Sequence, residues 1–206
     1  MFSSVKKLVS VLTLGVLIIL SACGSKVQAS NVGASSENNA NANTLASTTN
    51  KDVLVAYFSA TGTTKKVAER IAELTNADWY EIVPKEPYSS ADLNWNDRNS
   101  RTTKEMNSQS IRPEIASADI SNISQYKTIY LGYPIWWGDA PRIMSTFVEK
   151  YKFDNIKVIP FCTSGGSGIG RSGSNLASLA GSGNWVSGER LSGVNSVESF
   201  INNNSK

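Results

Sequence analysis

The chain has 206 residues, 40% of them hydrophobic, and it contains two cysteines and no histidine. The lack of histidine excludes Ser-His-Asp and Cys-His catalysis and most zinc sites, because each of these needs an imidazole as base or ligand. Two cysteines cannot build a disulfide framework or a cysteine-rich metal cluster, and a formal charge of only +3 gives no basic surface for nucleic acid.

Residues 1–22 have the pattern of a bacterial secretory signal peptide. Two lysines precede an apolar run, residues 8–20, that is too short to span a bilayer comfortably. The following Leu-Ser-Ala-Cys-Gly resembles the lipobox of bacterial lipoproteins, in which the cysteine receives a diacylglyceryl group. We therefore expect removal of residues 1–22 and a lipid anchor on Cys23 that holds the protein at the extracytoplasmic face of the cell membrane. The alternative is an ordinary signal peptide with an incidental cysteine.

Residues 23–51 are rich in Ser, Asn, Ala and Thr and contain almost no large apolar side chain. Such a segment cannot bury enough surface to offset the entropy lost on ordering, so a disordered tether is predicted. The alternative is that it packs on the domain that follows. Residues 52–206 remain as one folded domain of ordinary size.

Three short apolar runs, at residues 53–58, 128–133 and 158–162, lack polar alternation. This pattern favours strands buried on both faces of a parallel sheet. A weaker strand is predicted at residues 79–83, and a possible short last strand at residues 185–191.

Helical patterns lie between these strands. Residues 64–76 place Val67, Ala68, Ile71, Ala72 and Leu74 on one broad face. Residues 141–151 begin with a proline and carry apolar side chains at helical spacing, residues 196–203 are typical of a closing helix, and the long polar segment 85–122 can hold one at residues 98–107. Strands that alternate with helices indicate right-handed crossovers and a sheet covered on both sides.

Ligands of such sheets bind beyond the carboxyl ends of the strands, and the first strand is followed there by S-A-T-G-T-T at residues 59–64. Hydroxyl groups and a glycine at a helix N-terminus suit a phosphate, because they combine side-chain donors with free backbone N–H groups. The spacing is neither that of a Walker A loop nor G-x-G-x-x-G. A simple helix cap would explain one hydroxyl here, but not four.

Two further loops follow strands at the same edge. Adjacent tryptophans at positions 136 and 137 place a large apolar area in a strand-to-helix loop, which is typical of a stacking surface. Repeated glycine in residues 163–170 allows the backbone to lie flat against a ring and to offer N–H and C=O groups. The three loops together predict a ligand with a phosphate at one end and a flat heteroaromatic system at the other.

These loops resemble those of the flavodoxin family: F-S-A-T-G-T-T at residues 58–64, Y-P-I-W-W-G at 133–138 and S-G-G-S at 164–167. They recur in the family's order, the resemblance extends from residue 52 to about residue 203, and it is closest to a branch with the Pro-Ile-Trp-Trp-Gly signature. It implies a flavodoxin-like three-layer α/β/α sandwich with a five-stranded parallel sheet in the order 2-1-3-4-5, and non-covalently bound FMN.

The resemblance also implies the contacts of the cofactor. The residues expected at the phosphate are Ser59, Thr61, Gly62, Thr63 and Thr64. Those expected against the isoalloxazine are Pro134, Ile135, Trp136 and Trp137, with the backbone of Gly138, Ser164, Gly165 and Gly166 at its pyrimidine edge.

Two features depart from the family. Its electron carriers are typically strongly acidic, whereas removal of two lysines with the signal peptide leaves 18 basic and 17 acidic side chains here. The segment 85–122 is also longer than a compact crossover, and its Tyr88 and Trp95 either cover the flavin or only fill a loop.

Three functions remain open. The first is an FMN-binding electron-transfer protein that serves a redox partner protein or a small acceptor such as a quinone. The second is an FMN-dependent reductase of quinones that draws hydride from NAD(P)H, although a supply of NAD(P)H outside the cell is doubtful. The third is a non-redox module with a flavodoxin fold.

Overall fold

The computed structural model describes residues 51–205. The predicted signal peptide, Cys23 and nearly all of the tether therefore lie outside the described residues. Within residues 51–205, no helix has the length and apolar character needed to cross a membrane.

Strands and helices alternate along the described chain. The strands are β1 (Val53–Tyr57), β2 (Asp78–Glu81), β3 (Thr128–Pro134), β4 (Lys157–Thr163), β5 (Asn184–Trp185) and β6 (Glu189–Arg190). The helices are α1 (Thr63–Thr75), α2 (Arg101–Asn107), α3 (Arg142–Lys150), α4 (Ser172–Ala180) and α5 (Val197–Asn204).

The sheet is parallel throughout and has the order β2-β1-β3-β4-β5, with β6 also paired to β4. The predicted fold and strand order are therefore confirmed. The fifth position differs from the single predicted strand, because two short strands share it.

The break in the fifth position lies opposite Pro160. The N–H groups of Val186 and Leu191 donate to the carbonyls of Val158 and Cys162, at 3.0 and 2.9 Å. Between these two hydrogen bonds, four residues on the outer side lie opposite three on β4. Pro160 sits midway between these two acceptors and has no N–H to offer a neighbouring strand. The ladder is therefore interrupted at this point.

Each face of the sheet has its own hydrophobic core. Alternate residues of β1 point to opposite sides, with Leu54 and Ala56 on one face and Val55 and Tyr57 on the other. One core is closed by α3 and α4, and the other by α1 and α5. This is the expected three-layer arrangement.

Several predicted elements needed correction. The helix α4 was not predicted, since its sequence SGSNLASLA buries only Ser172, Leu176 and Ala180. The helix α2 begins at position 101 rather than 98, because Ser100 caps it by accepting a hydrogen bond from the Thr103 N–H. Leu74 was placed on the buried face of α1 but is exposed.

Candidate binding site at the carboxyl ends of the strands

A cavity of about 600 Å³ lies beyond the carboxyl ends of β1, β3 and β4. Its volume is typical of sites that take a small organic ligand. Four separate chain segments line it: Ala60, Thr61, Thr63 and Thr64 after β1; Leu93, Trp95 and Thr102 before and within α2; Pro134, Ile135, Trp136 and Trp137 at and beyond the end of β3; and Thr163, Ser164 and Gly165 at and beyond the end of β4.

The hydroxyl loop, residues 59–64, joins β1 to α1. Gly62 has φ +83°, a left-handed conformation that favours glycine, and it caps α1 without a side-chain hydrogen bond. The first turn of α1 contains no acidic residue, and N–H groups in such a turn have no carbonyl partner within the helix. The loop therefore presents a positive helix end to the cavity.

Ser59 contributes a second polar feature of this loop. Its Oγ is buried and has no hydrogen-bond partner among the described residues. A buried hydroxyl without a partner costs free energy unless a ligand completes it. Ser59 therefore fits a site for a ligand with strong acceptor oxygens, such as a phosphate.

The hydroxyl loop is fixed to the end of β4. Thr64 Oγ1 and Thr163 Oγ1 share a buried hydrogen bond of 2.8 Å, and Thr61 Oγ1 and Thr63 Oγ1 lie 3.3 Å apart. The buried contact sets the distance between the loops after β1 and β4. It also shows that the Thr64 hydroxyl already has one protein partner.

Lys65 follows the hydroxyl loop but points away from it. Its Nζ donates to Glu81 Oε2 at 2.9 Å, and this hydrogen bond raises the pKa of the lysine. The Tyr57 hydroxyl donates to the same carboxylate oxygen at 3.2 Å. Lys65, which follows the hydroxyl loop directly in the sequence, is thus paired with a carboxylate of β2.

The tryptophan turn, Trp136–Asp139, is a tight reversal of the chain. The Trp136 N–H donates to the Asp139 carbonyl at 2.9 Å, and the Asp139 N–H donates back to the Trp136 carbonyl at 3.0 Å. Trp137 has φ +48° and Gly138 has φ +79°, the signature of a type I′ turn. For Trp137 this backbone conformation is strained, and such strain persists only where surrounding contacts hold it.

The indole of Trp136 is held by two other aromatic rings. Its centroid lies 5.6 Å from that of Phe58 and 5.3 Å from that of Tyr88, both with edge-to-face geometry. The Tyr88 hydroxyl donates to Glu105 Oε2 at 2.7 Å, and the Arg101 guanidinium lies over its ring at 4.1 Å from the centroid. Trp136 is therefore a fixed wall of the cavity.

Arg142 joins the tryptophan turn to the end of α2. Its guanidinium is buried and donates to the carbonyls of Ser108 and Met106, at 3.0 and 3.1 Å. It also pairs with Asp139 Oδ2 at 3.3 Å. Because Arg142 begins α3, the turn, α2 and α3 are connected through one side chain.

The glycine loop, residues 163–170, forms the third side. The Ile135 N–H donates to the Thr163 carbonyl at 2.9 Å, and the Gly166 N–H donates to Ser164 Oγ at 3.3 Å. A Cβ atom at Gly165 or Gly166 would meet no other atom within 4 Å. The loop is therefore open on that side, and a flat group can approach its backbone closely.

Beneath the glycine loop lies a buried thiol, Cys162. Desolvation by burial raises the pKa of this thiol to about 12. It remains a protonated, apolar part of the core at neutral pH.

Nine of the predicted site residues line the cavity: Thr61, Thr63, Thr64, Pro134, Ile135, Trp136, Trp137, Ser164 and Gly165. Four others, Ser59, Gly62, Gly138 and Gly166, belong to the same loops but do not line it. Leu93 and Thr102 are lining residues that no sequence motif indicated. Trp95, for which contact and loop filling were both open, does line the cavity.

Comparison with known proteins identifies relatives of this arrangement. The sequence profile of the flavodoxin family matches residues 52–204. A protein from Bacteroides eggerthii that is assigned as a flavoprotein is 42% identical in sequence, with a TM-score of 0.69, and the match covers 75% of this chain and 98% of that one. A similarly assigned protein from Bacteroides uniformis is 42% identical, with a TM-score of 0.69 and coverage of 76% and 99%.

A more distant structure is the flavoprotein of Lactobacillus acidophilus in complex with FMN, at 24% identity and a TM-score of 0.56, covering 73% of this chain and 98% of that one. At this identity the similarity concerns the fold. No curated protein sequence matches the chain.

Proposed function

Because the chain belongs to the flavodoxin family, we propose that it binds FMN non-covalently in the cavity and works as an electron-transfer protein. FMN supplies the redox chemistry in such proteins, while the protein binds the cofactor, orients it and tunes its potential. The two Bacteroides relatives at 42% identity are assigned as flavoproteins, which supports a flavin here.

The observation that carries the proposal is the convergence of three loops with complementary chemistry on one cavity. At one end the hydroxyl loop offers the start of α1 and the side chains of Thr61 and Thr63, and the buried, unpartnered Ser59 hydroxyl belongs to the same loop. The tryptophan turn and the open glycine loop offer apolar rings and accessible backbone elsewhere. This set suits a planar ring system that carries a phosphate.

No cation is required for this phosphate site. A hydrogen bond to a charged group contributes about 1.5–3 kcal/mol, and nanomolar binding corresponds to about 12 kcal/mol. Several donors from the hydroxyl loop, together with ring packing against Trp137, are sufficient for tight binding. The engagement of Lys65 by Glu81 is therefore compatible with FMN.

We propose electron transfer rather than hydride transfer as the activity, because a supply of NAD(P)H outside the cell is doubtful. The partner is a redox protein or a small acceptor such as a quinone. The proposed anchor at Cys23 places this activity at the extracytoplasmic face of the membrane, where NAD(P)H is scarce.

The test of the cofactor is the visible spectrum of the purified chain and the flavin released on denaturation. Flavin absorption bands, with one FMN released per chain, are expected. A colourless protein that does not take up added FMN would instead favour a non-redox module.

The test of the activity is steady-state oxidation of NADH with a quinone as acceptor. We expect negligible turnover and ready exchange of electrons with a reduced one-electron donor. Sustained NADH oxidation by the FMN-loaded protein would identify a reductase instead. Loss of membrane association in a Cys23→Ser variant tests the anchor.

A further inference from the structure

We propose that Trp95, on the loop before α2, is a cofactor-binding residue whose indole packs against the isoalloxazine of FMN. This inference rests on the proposed function and adds a contact that the loops after β1, β3 and β4 do not provide. It assigns a role to a segment whose sequence carries no flavin motif.

The aromatic residues around the cavity are unevenly distributed. Three tryptophans line it, at positions 95, 136 and 137, whereas the glycine loop contributes only Thr163, Ser164 and Gly165. Residues 163–170 contain no aromatic side chain. A flat ring in this cavity can therefore contact indoles from two segments, the loop before α2 and the tryptophan turn. The glycine loop offers it only backbone and small side chains.

The three indoles differ in how much of their surface is free. Trp136 is already packed edge-on by Phe58 and Tyr88, whereas Trp137 is 46% exposed and Trp95 is 72% exposed. Among residues 51–205, Trp95 makes no ring contact and its Nε1 has no acceptor. Its indole faces a cavity without a protein partner, which is typical of a surface that a ligand covers.

Hydrogen bonds on both sides of Trp95 fix the position of its loop. The Ser89 hydroxyl and N–H both donate to Asp92 Oδ2, at 2.7 and 2.9 Å. The Thr102 hydroxyl donates to the Asp92 carbonyl at 2.6 Å, and the Thr103 hydroxyl donates to the Asp97 carbonyl at 2.9 Å. The loop is therefore tied to α2 at two points.

This fixation matters for binding. An indole presented by an ordered loop loses less conformational entropy when a ligand packs on it than one on a mobile loop. Thr102, which makes one of the ties, also lines the cavity. The loop and the cavity wall are thus one structural unit.

The experiment compares the FMN affinity of the full chain with that of Trp95→Ala, by fluorescence titration of the apoprotein. We expect Kd to rise about tenfold or more, which corresponds to about 1.4 kcal/mol, and Trp95→Phe to recover most of the loss. The matched control is Trp79→Ala, since Trp79 is 61% exposed on β2 and does not line this cavity. Its Kd should equal that of the wild type.

A second measurement reports the contact directly. Stacked indoles quench flavin fluorescence, so the emission of FMN bound to Trp95→Ala should exceed that of FMN bound to the wild type or to Trp79→Ala. The urea midpoint of each apoprotein checks folding, and Trp95→Gln replaces the alanine variant if that midpoint shifts.

Unchanged affinity and emission in the Trp95 variants would overturn this inference while leaving FMN binding intact. Failure of the wild type to bind FMN would instead overturn the proposed function. The two outcomes are therefore distinguishable.

Discussion

The Ser59 hydroxyl is a single buried group whose missing hydrogen-bond partner a bound phosphate would supply. Nothing among the described residues accepts its hydrogen or donates to its oxygen. A buried polar atom without a partner lowers the stability of the apoprotein, and this free energy is regained when a ligand bonds to the atom. Stability and affinity should therefore respond to its removal in different ways.

For Ser59→Ala we expect a weaker FMN complex together with an unfolding free energy of the apoprotein that is unchanged or higher. Loss of one hydrogen bond to a charged phosphate, about 1.5–3 kcal/mol, raises Kd about 10- to 150-fold. Fluorescence titration and urea unfolding measure the two quantities.

Ser117→Ala is the matched control. Ser117 accepts from the Val83 N–H at 2.8 Å and donates to the Glu81 carbonyl at 2.6 Å, so its loss should lower stability and leave FMN affinity unchanged. An apoprotein destabilised by Ser59→Ala would contradict this account of the hydroxyl.

Gly138 in the tryptophan turn is a second position at which one substitution should change both the redox behaviour and the stability of the protein. We predict that the backbone of residues 137–139 reorients when the flavin is reduced, so that a backbone carbonyl accepts a hydrogen bond from the protonated flavin N5. Gly138→Val should alter the gap between the two one-electron reduction potentials in a redox titration. It should also lower the unfolding free energy by about 1–2 kcal/mol, because φ is +79° at this position.

Gly138→Asn serves as the control, since asparagine tolerates the left-handed region better than valine does. This variant should retain most of the unfolding free energy and most of the gap between the two one-electron potentials. The proposed reorientation would be discarded if valine left the gap at its wild-type value.

At the scale of elements, the sequence predicts the central strands within one residue at each end. Residues 53–58, 128–133 and 158–162 are apolar without alternation, because both faces of β1, β3 and β4 are buried. The edge strand β2 was predicted one residue late at its start and two late at its end. Its Trp79 is exposed, so its side chains do not follow the pattern of a buried strand.

The elements that were missed depend on distant contacts. Nothing local in the Ser- and Gly-rich sequence of α4 distinguishes it from a loop; Leu176 and Ala180 acquire their role only when they reach the core. The split of the last strand follows from Pro160 in a neighbouring element. Leu93 and Thr102 reach the cavity through ties such as that between Thr102 and the Asp92 carbonyl.

The three site loops could be predicted because their geometry follows from topology. Carboxyl ends of adjacent parallel strands meet at one edge of a sheet, so residues after β1, β3 and β4 had to converge. Strand topology does not determine the position of the segment 85–122 in the same way. That position depends on long-range contacts such as those of Arg142, which donates to the carbonyls of Met106 and Ser108, and of Thr146, which donates to the Pro113 carbonyl.

The short helix α2 depends on its cap. Ser100 accepts from the Thr103 N–H at 3.3 Å and donates to the Thr103 hydroxyl at 2.8 Å. Ser100→Ala should lower the unfolding free energy by about 1 kcal/mol, measured by urea denaturation. Ser178→Ala is the control, because Ser178 is an exposed interior residue of α4 whose hydroxyl donates to the Ser174 carbonyl of the same helix. There we expect a change within about 0.5 kcal/mol.

At the scale of the whole molecule, the composition determines how stability varies with pH. The chain has no histidine, so no imidazole titrates near neutrality. Burial raises the pKa of Tyr80 and of Tyr126 to about 12, as it does for Cys162. The hydrogen bond from Arg112 lowers the pKa of Glu149.

These shifts predict a stability plateau. Above the ordinary pKa of a thiol, near 9.0, the unfolded chain loses protons that the folded chain keeps, so the stability held at lower pH declines toward pH 12. Below the ordinary pKa of Glu149, near 4.5, the unfolded chain takes up a proton first, so stability declines with falling pH. Urea midpoints should be constant between about pH 6 and 8.5, and a step near pH 6.5 would contradict this.

The interruption beside Pro160 also affects how copies of this protein meet. An exposed sheet edge recruits strands from other molecules when it offers an unbroken row of backbone partners. Here the outermost position consists of two strands of two residues each, β5 and β6, and residues 186–188 separate them. Gly188 lies so close to β4 that a Cβ would be 2.5 Å from the Pro160 oxygen. A foreign strand finds no continuous template on this side, and edge-to-edge aggregation through it is discouraged even at high local concentration.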